Sequence, residues 1–193
     1  MGLTKLKTKI SVENYLEGEC ISPSKHEYIY GEVYAMAGTS DNHNRIAGNV
    51  YANLSIHLRN SRCEPFMGDI KVRVSPDVYY YPDVFVSGEE TIEDSHFRNE
   101  PILIVEEISP STEYIDRREK LLFYQQMPSL QEYVIIEQKK IAVEIHRRQS
   151  NGSWITYFFN HNDTEVEFQT VEMTMKLEEI YRRVKFPEQS SPQ

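Results

Sequence analysis

Cysteine is scarce in this chain. Cys20 and Cys63 stand far apart and form no CxxC pair, which argues against a structural zinc site and gives no disulfide framework. Long apolar runs are missing too. No stretch of about 18 apolar residues occurs, so no membrane span is expected. The opening MGLTKLKTKI lacks the apolar centre of a signal peptide, so the cytoplasm is the expected location. No Walker A or GxGxxG pattern occurs, which argues against ATP or dinucleotide binding. No GxSxG nucleophile elbow occurs either. Positive charge is in deficit: 21 Lys and Arg against 30 Asp and Glu give a net charge of −9. That is the wrong sign for indiscriminate coating of a polyphosphate. Acids gathered around a cation and a local basic face are both compatible with it. His57 and His146 have no motif around them, and His26, His96 and His161 share no metal-ligand spacing.

What remains is ordinary for a globular protein: 193 residues, 39% hydrophobic and 26% charged, with thirteen tyrosines for core and interface work. Residues 9–185 read as a single domain, with loose tails at 1–8 and 186–193. Ser11 precedes a short capped helix. His26–Ala37 reads as a hairpin or bent strand around Gly31. From Asp41 to Asn60, Ile46, Val50, Leu54 and Leu58 recur every four residues, the period of a helix with one buried face. Strands are expected at 69–74, at 79–86 with a proline inside it, and at 101–108, the most apolar run. Ser109–Thr112 are placed to cap a helix that stops at Pro128. A strand at 131–137, two hairpins turning at Lys139-Lys140 and Asn151-Gly152, a strand near 164–171 and a helix at 176–184 complete the chain. A mixed α/β sheet flanked by helices is the expected fold.

Two acids stand where strands are expected. Asp83 follows Pro82, and Glu106 lies inside the apolar strand 101–108. An acid in such a strand is costly unless it meets a cation or a strong donor. Glu106 and Glu107 face opposite sides, so at most one side chain points at a given site. If the strands of Asp83 and Glu106 are neighbours, the two carboxylates suit Mg²⁺. The plain alternative pairs Glu106 with an arginine and makes Asp83 a turn cap. Lys120 lies about 12 Å along the following helix, and Glu106 about 7 Å back from its strand end. The side chain can span the difference and steady a hydroxide or phosphate oxygen. Its alternative is a solvated i,i+4 pair with Asp116. Asp69, Glu32 and His43 are lesser candidates: a strand-start cap, a surface acid and a helix-start polar residue are the competing readings. Arg117 and Arg118 beside Lys120 suit phosphate contacts.

Pro82-Asp83, Ile104-Val105-Glu106, Ser109–Thr112, Asp116 with Glu119-Lys120, and Pro128–Tyr133 together resemble the Uma-type restriction-endonuclease-like family of the PD-(D/E)XK nuclease superfamily. Gly31–Tyr34 and His43-Asn44 extend the resemblance over about residues 11–184. It implies a restriction-endonuclease-like core of helix, three strands, helix and strand, with added β-hairpins. It implies Mg²⁺- or Mn²⁺-dependent cleavage of DNA, with Asp83 and Glu106 as the motif's acids. Asp83, Glu106 and the carbonyl of Glu107 then hold the metal. The superfamily pattern places a lysine two residues after the second acid, where this chain has Ile108. Lys120 matches the lysine of this family, which stands on the helix. An inactive nuclease-fold module that binds nucleic acid or a protein partner is the rival reading. A structural homodimer using the apolar hairpin at 141–159 is a third, and a homodimer also suits a double-strand cutter.

Overall fold

The computed structural model describes residues 9–36, 38–90, 96–108 and 113–186. The expected caps of the second long helix, Ser109–Thr112, and the two expected tails beyond Lys9 and Phe186 lie outside the described residues. Ser11 caps α1 (Val12–Ile21), its hydroxyl accepting from the Asn14 amide. β1 (His26–Ile29) and β2 (Glu32–Ala35) form the expected antiparallel hairpin. Its turn residues Tyr30 and Gly31 both have positive φ, 49° and 89°, the twist that suits paired strands. A Cβ on Gly31 would lie 2.7 Å from the Lys9 Cβ, so the turn needs glycine. α2 (Asp41–His57), capped by Ser40, buries Ile46, Ala47, Val50 and Leu54, the face read from the four-residue recurrence.

The strands that follow are β3 (Glu64–Met67), β4 (Lys71–Ser75), β5 (Val78–Tyr80), β6 (Val84–Ser87), β7 (Phe97–Arg98) and β8 (Pro101–Ile108). A π-helical turn, Ile115–Lys120, then runs into α3 (Leu121–Gln125). β9 (Glu132–Glu137), β10 (Ala142–Arg148) and β11 (Trp154–Asn160) make the two expected hairpins. β12 (Glu165–Phe168), β13 (Met173–Lys176) and α4 (Leu177–Ile180) end the fold.

A six-stranded sheet, β11-β10-β9-β8-β6-β3, is the central layer, and a five-stranded sheet has the order β2-β1-β5-β4-β7. In the central sheet only β8 and β9 run parallel, joined across the helix between them. One face, through Val84, Val86, Leu103, Val105, Val134 and Ile136, packs on α2, α4 and the β12–β13 hairpin. The other, through Phe85, Ile104, Ile108, Tyr133 and Ile135, packs on β4, β5 and α3. The fold is mixed α/β, as expected.

Two expectations are corrected. The single strand over 79–86 is two strands in different sheets, β5 and β6. Proline has no N–H for a ladder, and the chain switches sheets at Tyr81-Pro82-Asp83. The strand near 164–171 and the helix at 176–184 are instead the β12–β13 hairpin and one short helix. Glu172, left-handed at φ 52°, turns the hairpin. β3 and β7 had no counterpart in the sequence reading.

Candidate metal and catalytic site

The sheet switch positions Asp83. β6 pairs β8 with Val84 opposite Val105, and Asp83 stands one residue past that rung. There its carboxylate replaces the missing ladder partner: Asp83 Oδ2 accepts from the Glu107 amide at 2.8 Å. The other oxygen, Oδ1, lies 2.8 Å from His43 Nε2. His43 is in the first turn of α2, fixed by the Ser40 cap, whose hydroxyl accepts from the His43 amide. Nε2 also lies 3.6 Å from Glu107 Oε2.

The Glu107 side chain is 0% exposed, and neither carboxylate oxygen has a hydrogen-bond partner among the described residues. Burial, then the charges of Asp83 and Glu106, push its pKa well above the ordinary glutamate value. One ligand atom each from His43, Asp83 and Glu107 lies within 4.8 Å of the others. Two carboxylates and an imidazole at this spacing are a donor set for a divalent cation. A cation would also satisfy the orphaned oxygens, which otherwise carry a desolvation cost of about 1–3 kcal/mol.

Strand alternation sends Glu106 to the opposite face. Its Oε1 accepts from Lys120 Nζ at 3.1 Å and from the Tyr124 hydroxyl at 2.9 Å. Lys120, 8% exposed, also lies 3.0 Å from Glu27 Oε1 and 3.4 Å from Asp116 Oδ1. Its ammonium sits 5.3 Å from the centre of the Tyr80 ring. Burial pushes the lysine's pKa down, but Glu106, Glu27 and Asp116 outweigh it and hold the ammonium charged. Burial likewise raises Glu106; Lys120 opposes the rise, and Asp83, Asp116 and Glu27 add to it. Asp83 is thus the common neighbour of two acids on opposite faces of β8. Three carboxylates, those of Glu27, Glu106 and Asp116, gather around the Lys120 ammonium, while those of Asp83 and Glu107 lie together beside His43. That excess of negative charge calls for protons or a cation.

The structure therefore brings together Asp83, His43 and Glu107 on one side, and Glu106 with Lys120 on the other. The Glu107 side-chain carboxylate enters the site. Asp69 pairs with Lys25 at a separate cavity, and Glu32 accepts from the Tyr34 hydroxyl on the hairpin. Neither joins the acids around Asp83. Glu27 was missed. Alternation in HEYI turns Glu27 away from the buried Tyr28, so in sequence Glu27 reads as an ordinary surface acid. The Asp116–Lys120 pair is buried, not solvated, because the π-helical turn packs it under the sheets.

Comparison with known proteins adds the family. The profile of the Uma2 family, described as "Putative restriction endonuclease", matches residues 12–178. Two uncharacterised proteins of Synechocystis sp. are similar. The protein slr1290 is 32% identical over 180 residues, spanning 92% of this chain and 94% of its own length. The protein sll1609 is 33% identical over 166 residues, spanning 83% of this chain and 94% of its own length. A crystal structure from Anabaena variabilis, titled as a putative nuclease belonging to DUF820, superposes with a TM-score of 0.70. It has 17% identity and covers 89% of this chain and 97% of that one, which shows a shared fold. No helix among the described residues is long and apolar enough to cross a membrane. A match over most of the chain places it in the Uma2 family, with a nuclease-like functional class.

Proposed function

We propose that this protein is a divalent-metal-dependent nuclease that hydrolyses phosphodiester bonds of DNA at the cluster around Asp83. The observation that carries the proposal is the fully buried Glu107 carboxylate, without a hydrogen bond among the described residues and facing Asp83 and His43. His43 Nε2, Asp83 and Glu107 would hold Mg²⁺ or Mn²⁺, while Glu106, on the opposite face of β8, would act through Lys120. A bound cation would make a coordinated water more acidic and balance the charge of the scissile phosphate.

The chain's own groups supply the rest. The His43–Asp83 contact at 2.8 Å orients the imidazole, and Nε2 would act as a ligand through its lone pair. Asp83 is held in place by the Glu107 amide. Lys120, kept charged and nearly immobile by Glu106, Glu27 and Asp116, presents a point charge to the nucleophile or a phosphate oxygen. Tyr124 fixes Glu106 from the other side. A homodimer is the expected assembly, since two-fold symmetry suits cleavage of two strands.

The test is cleavage of plasmid and oligonucleotide DNA with Mg²⁺ or Mn²⁺, comparing wild type with Asp83→Ala and Lys120→Ala. Wild type should nick or linearise the plasmid, and each variant should fall by about 100-fold or more, the scale of removing a preorganised charge. Equal rates in all three would sink the assignment. A second reading, an inactive module that only binds, draws on the saturation of Lys120 by three carboxylates. It forecasts DNA binding with no cleavage in any metal.

A further inference from the structure

A second concavity lies on the other side of α2. It measures about 300 Å³ and is lined by Arg45, Asn49, Arg182 and Arg183. In a chain of net charge −9, a hollow lined by three guanidinium groups and no acid is a marked local reversal of sign. The segment presenting two of them is fastened to α2 at both ends. Asn49 Nδ2 donates to the carbonyls of Ile180 and Arg182. Asn42 Nδ2 donates to the Lys185 carbonyl, and its Oδ1 accepts from the Lys185 amide. Between these clamps Arg183 is left-handed, at φ 63°. That conformation is unfavourable for a residue with a Cβ and is a natural place for glycine. The Arg183 side chain forms no ion pair or hydrogen bond among the described residues. Competing acids sit at the rim: Asp41 Oδ2 accepts from Arg45 Nε at 2.9 Å, and Glu179 lies 3.9 Å from Arg182.

We infer that this hollow binds a backbone phosphate of the nucleic-acid strand, away from the bond that is cut. The inference rests on the nuclease reading of the Asp83 cluster. Guanidinium groups suit the ligand, because their planar forks match phosphate oxygens. The shared helix supplies the connection. At 3.6 residues per turn, Arg45 and His43 lie on opposite sides of α2, yet both are in its first two turns. A strand crossing that helix end meets both, and the positive end of the helix dipole favours its charge. Arg183 accepts a strained backbone and in return holds an unpaired cation at the hollow.

The experiment uses a fluorescein-labelled DNA duplex of about two helical turns, with EDTA to block cleavage. Anisotropy titrations at several salt concentrations compare wild type with Arg183→Gly and Arg45→Ala/Arg183→Ala. The single variant should bind several-fold more weakly and the double at least tenfold. The slope of log affinity against log salt should drop by about one per lost contact. Arg183→Gly should also melt about 2–4 °C higher than wild type, since it relieves the left-handed strain. A structural role for the arginine forecasts no loss of affinity. A parallel arm with inorganic phosphate as competitor separates a free-anion site from a strand site. Displacement of the duplex at low millimolar phosphate would assign the hollow to the free anion and overturn the inference. Unchanged affinity and slope in the variants, or no duplex binding by wild type, would also overturn it. Bis(p-nitrophenyl) phosphate with Mn²⁺ reports on the Asp83 cluster alone. Arg183→Gly should hydrolyse it as wild type does. Absence of that hydrolysis in wild type counts against the nuclease reading, while the binding titrations still decide the hollow.

Discussion

Replacing Glu107 by glutamine removes one buried titratable carboxyl group and almost no volume. In the metal-free protein that group lies beside Asp83 with no hydrogen-bond partner among the described residues, and its ionised form is disfavoured by burial and by the Asp83 charge. The amide stays desolvated, so the gain sits at the low end of the about 1–3 kcal/mol that an unsatisfied buried group costs. For a domain of this size about 1 kcal/mol shifts Tm by about 2–4 °C, so metal-free Glu107→Gln should melt about 2–4 °C above wild type at neutral pH. The order reverses with metal. Mn²⁺ at about 100 times Kd stabilises the native state by about 2.7 kcal/mol. Wild type should therefore gain about 5–11 °C, and the variant, lacking one anionic ligand, only a small part of that. Differential scanning fluorimetry with EDTA and with a Mn²⁺ series reads both effects. An equal Mn²⁺ shift in the two proteins, or none in wild type at millimolar Mn²⁺, would refute the reasoning.

Other outcomes follow from the same geometry. Burial raises the pKa values of Glu106 and Glu107 in the folded state, so the fold favours their protonated forms. Metal-free stability should then fall as pH rises from the ordinary value of 4.5 through the folded pKa, and the Mn²⁺-induced gain should grow over the same range; urea titrations from pH 4 to 8 measure both. Lys120→Met strips two buried carboxylates, Glu106 and Asp116, and the half-buried Glu27 of their ammonium. It should cost about 3–5 kcal/mol, read as a lower urea midpoint that partly recovers in acid. Glu132 is fully buried and accepts from Arg147 Nε at 2.6 Å and from the amides of Gln169 and Thr170. Arg147→Met should cost a similar amount and speed amide exchange across 165–176. Leu54→Ala should lose about 2–5 kcal/mol and leave the Mn²⁺ shift unchanged.

Much of the fold was legible because its signals are local. The recurrence of Ile46, Val50 and Leu54 is a helical period, PILIVEEI is a buried strand, and Asn151-Gly152 is a turn. The division of 79–86 between two sheets was not legible. A proline inside an apolar run signals an interruption, but only tertiary packing decides whether the chain bulges or changes sheets. The site divides the same way. Asp83 and Glu106 stand out as acids in apolar runs, and alternation correctly separates Glu106 from Glu107. That Glu106 and Glu107 both feel the Asp83 charge depends on Asp83 sitting at the end of the ladder. Glu27 and His43 come from elements distant in sequence, so no spacing rule connects them to Asp83.

The central claim is that the acids around Asp83 hold a divalent cation. Anomalous diffraction from a crystal soaked in Mn²⁺ tests it most directly. The expected result is a peak within coordination distance of Asp83, Glu107 and His43, lost in Glu107→Gln. Saturating Mn²⁺ with no peak there, or a peak only elsewhere on the surface, would contradict it.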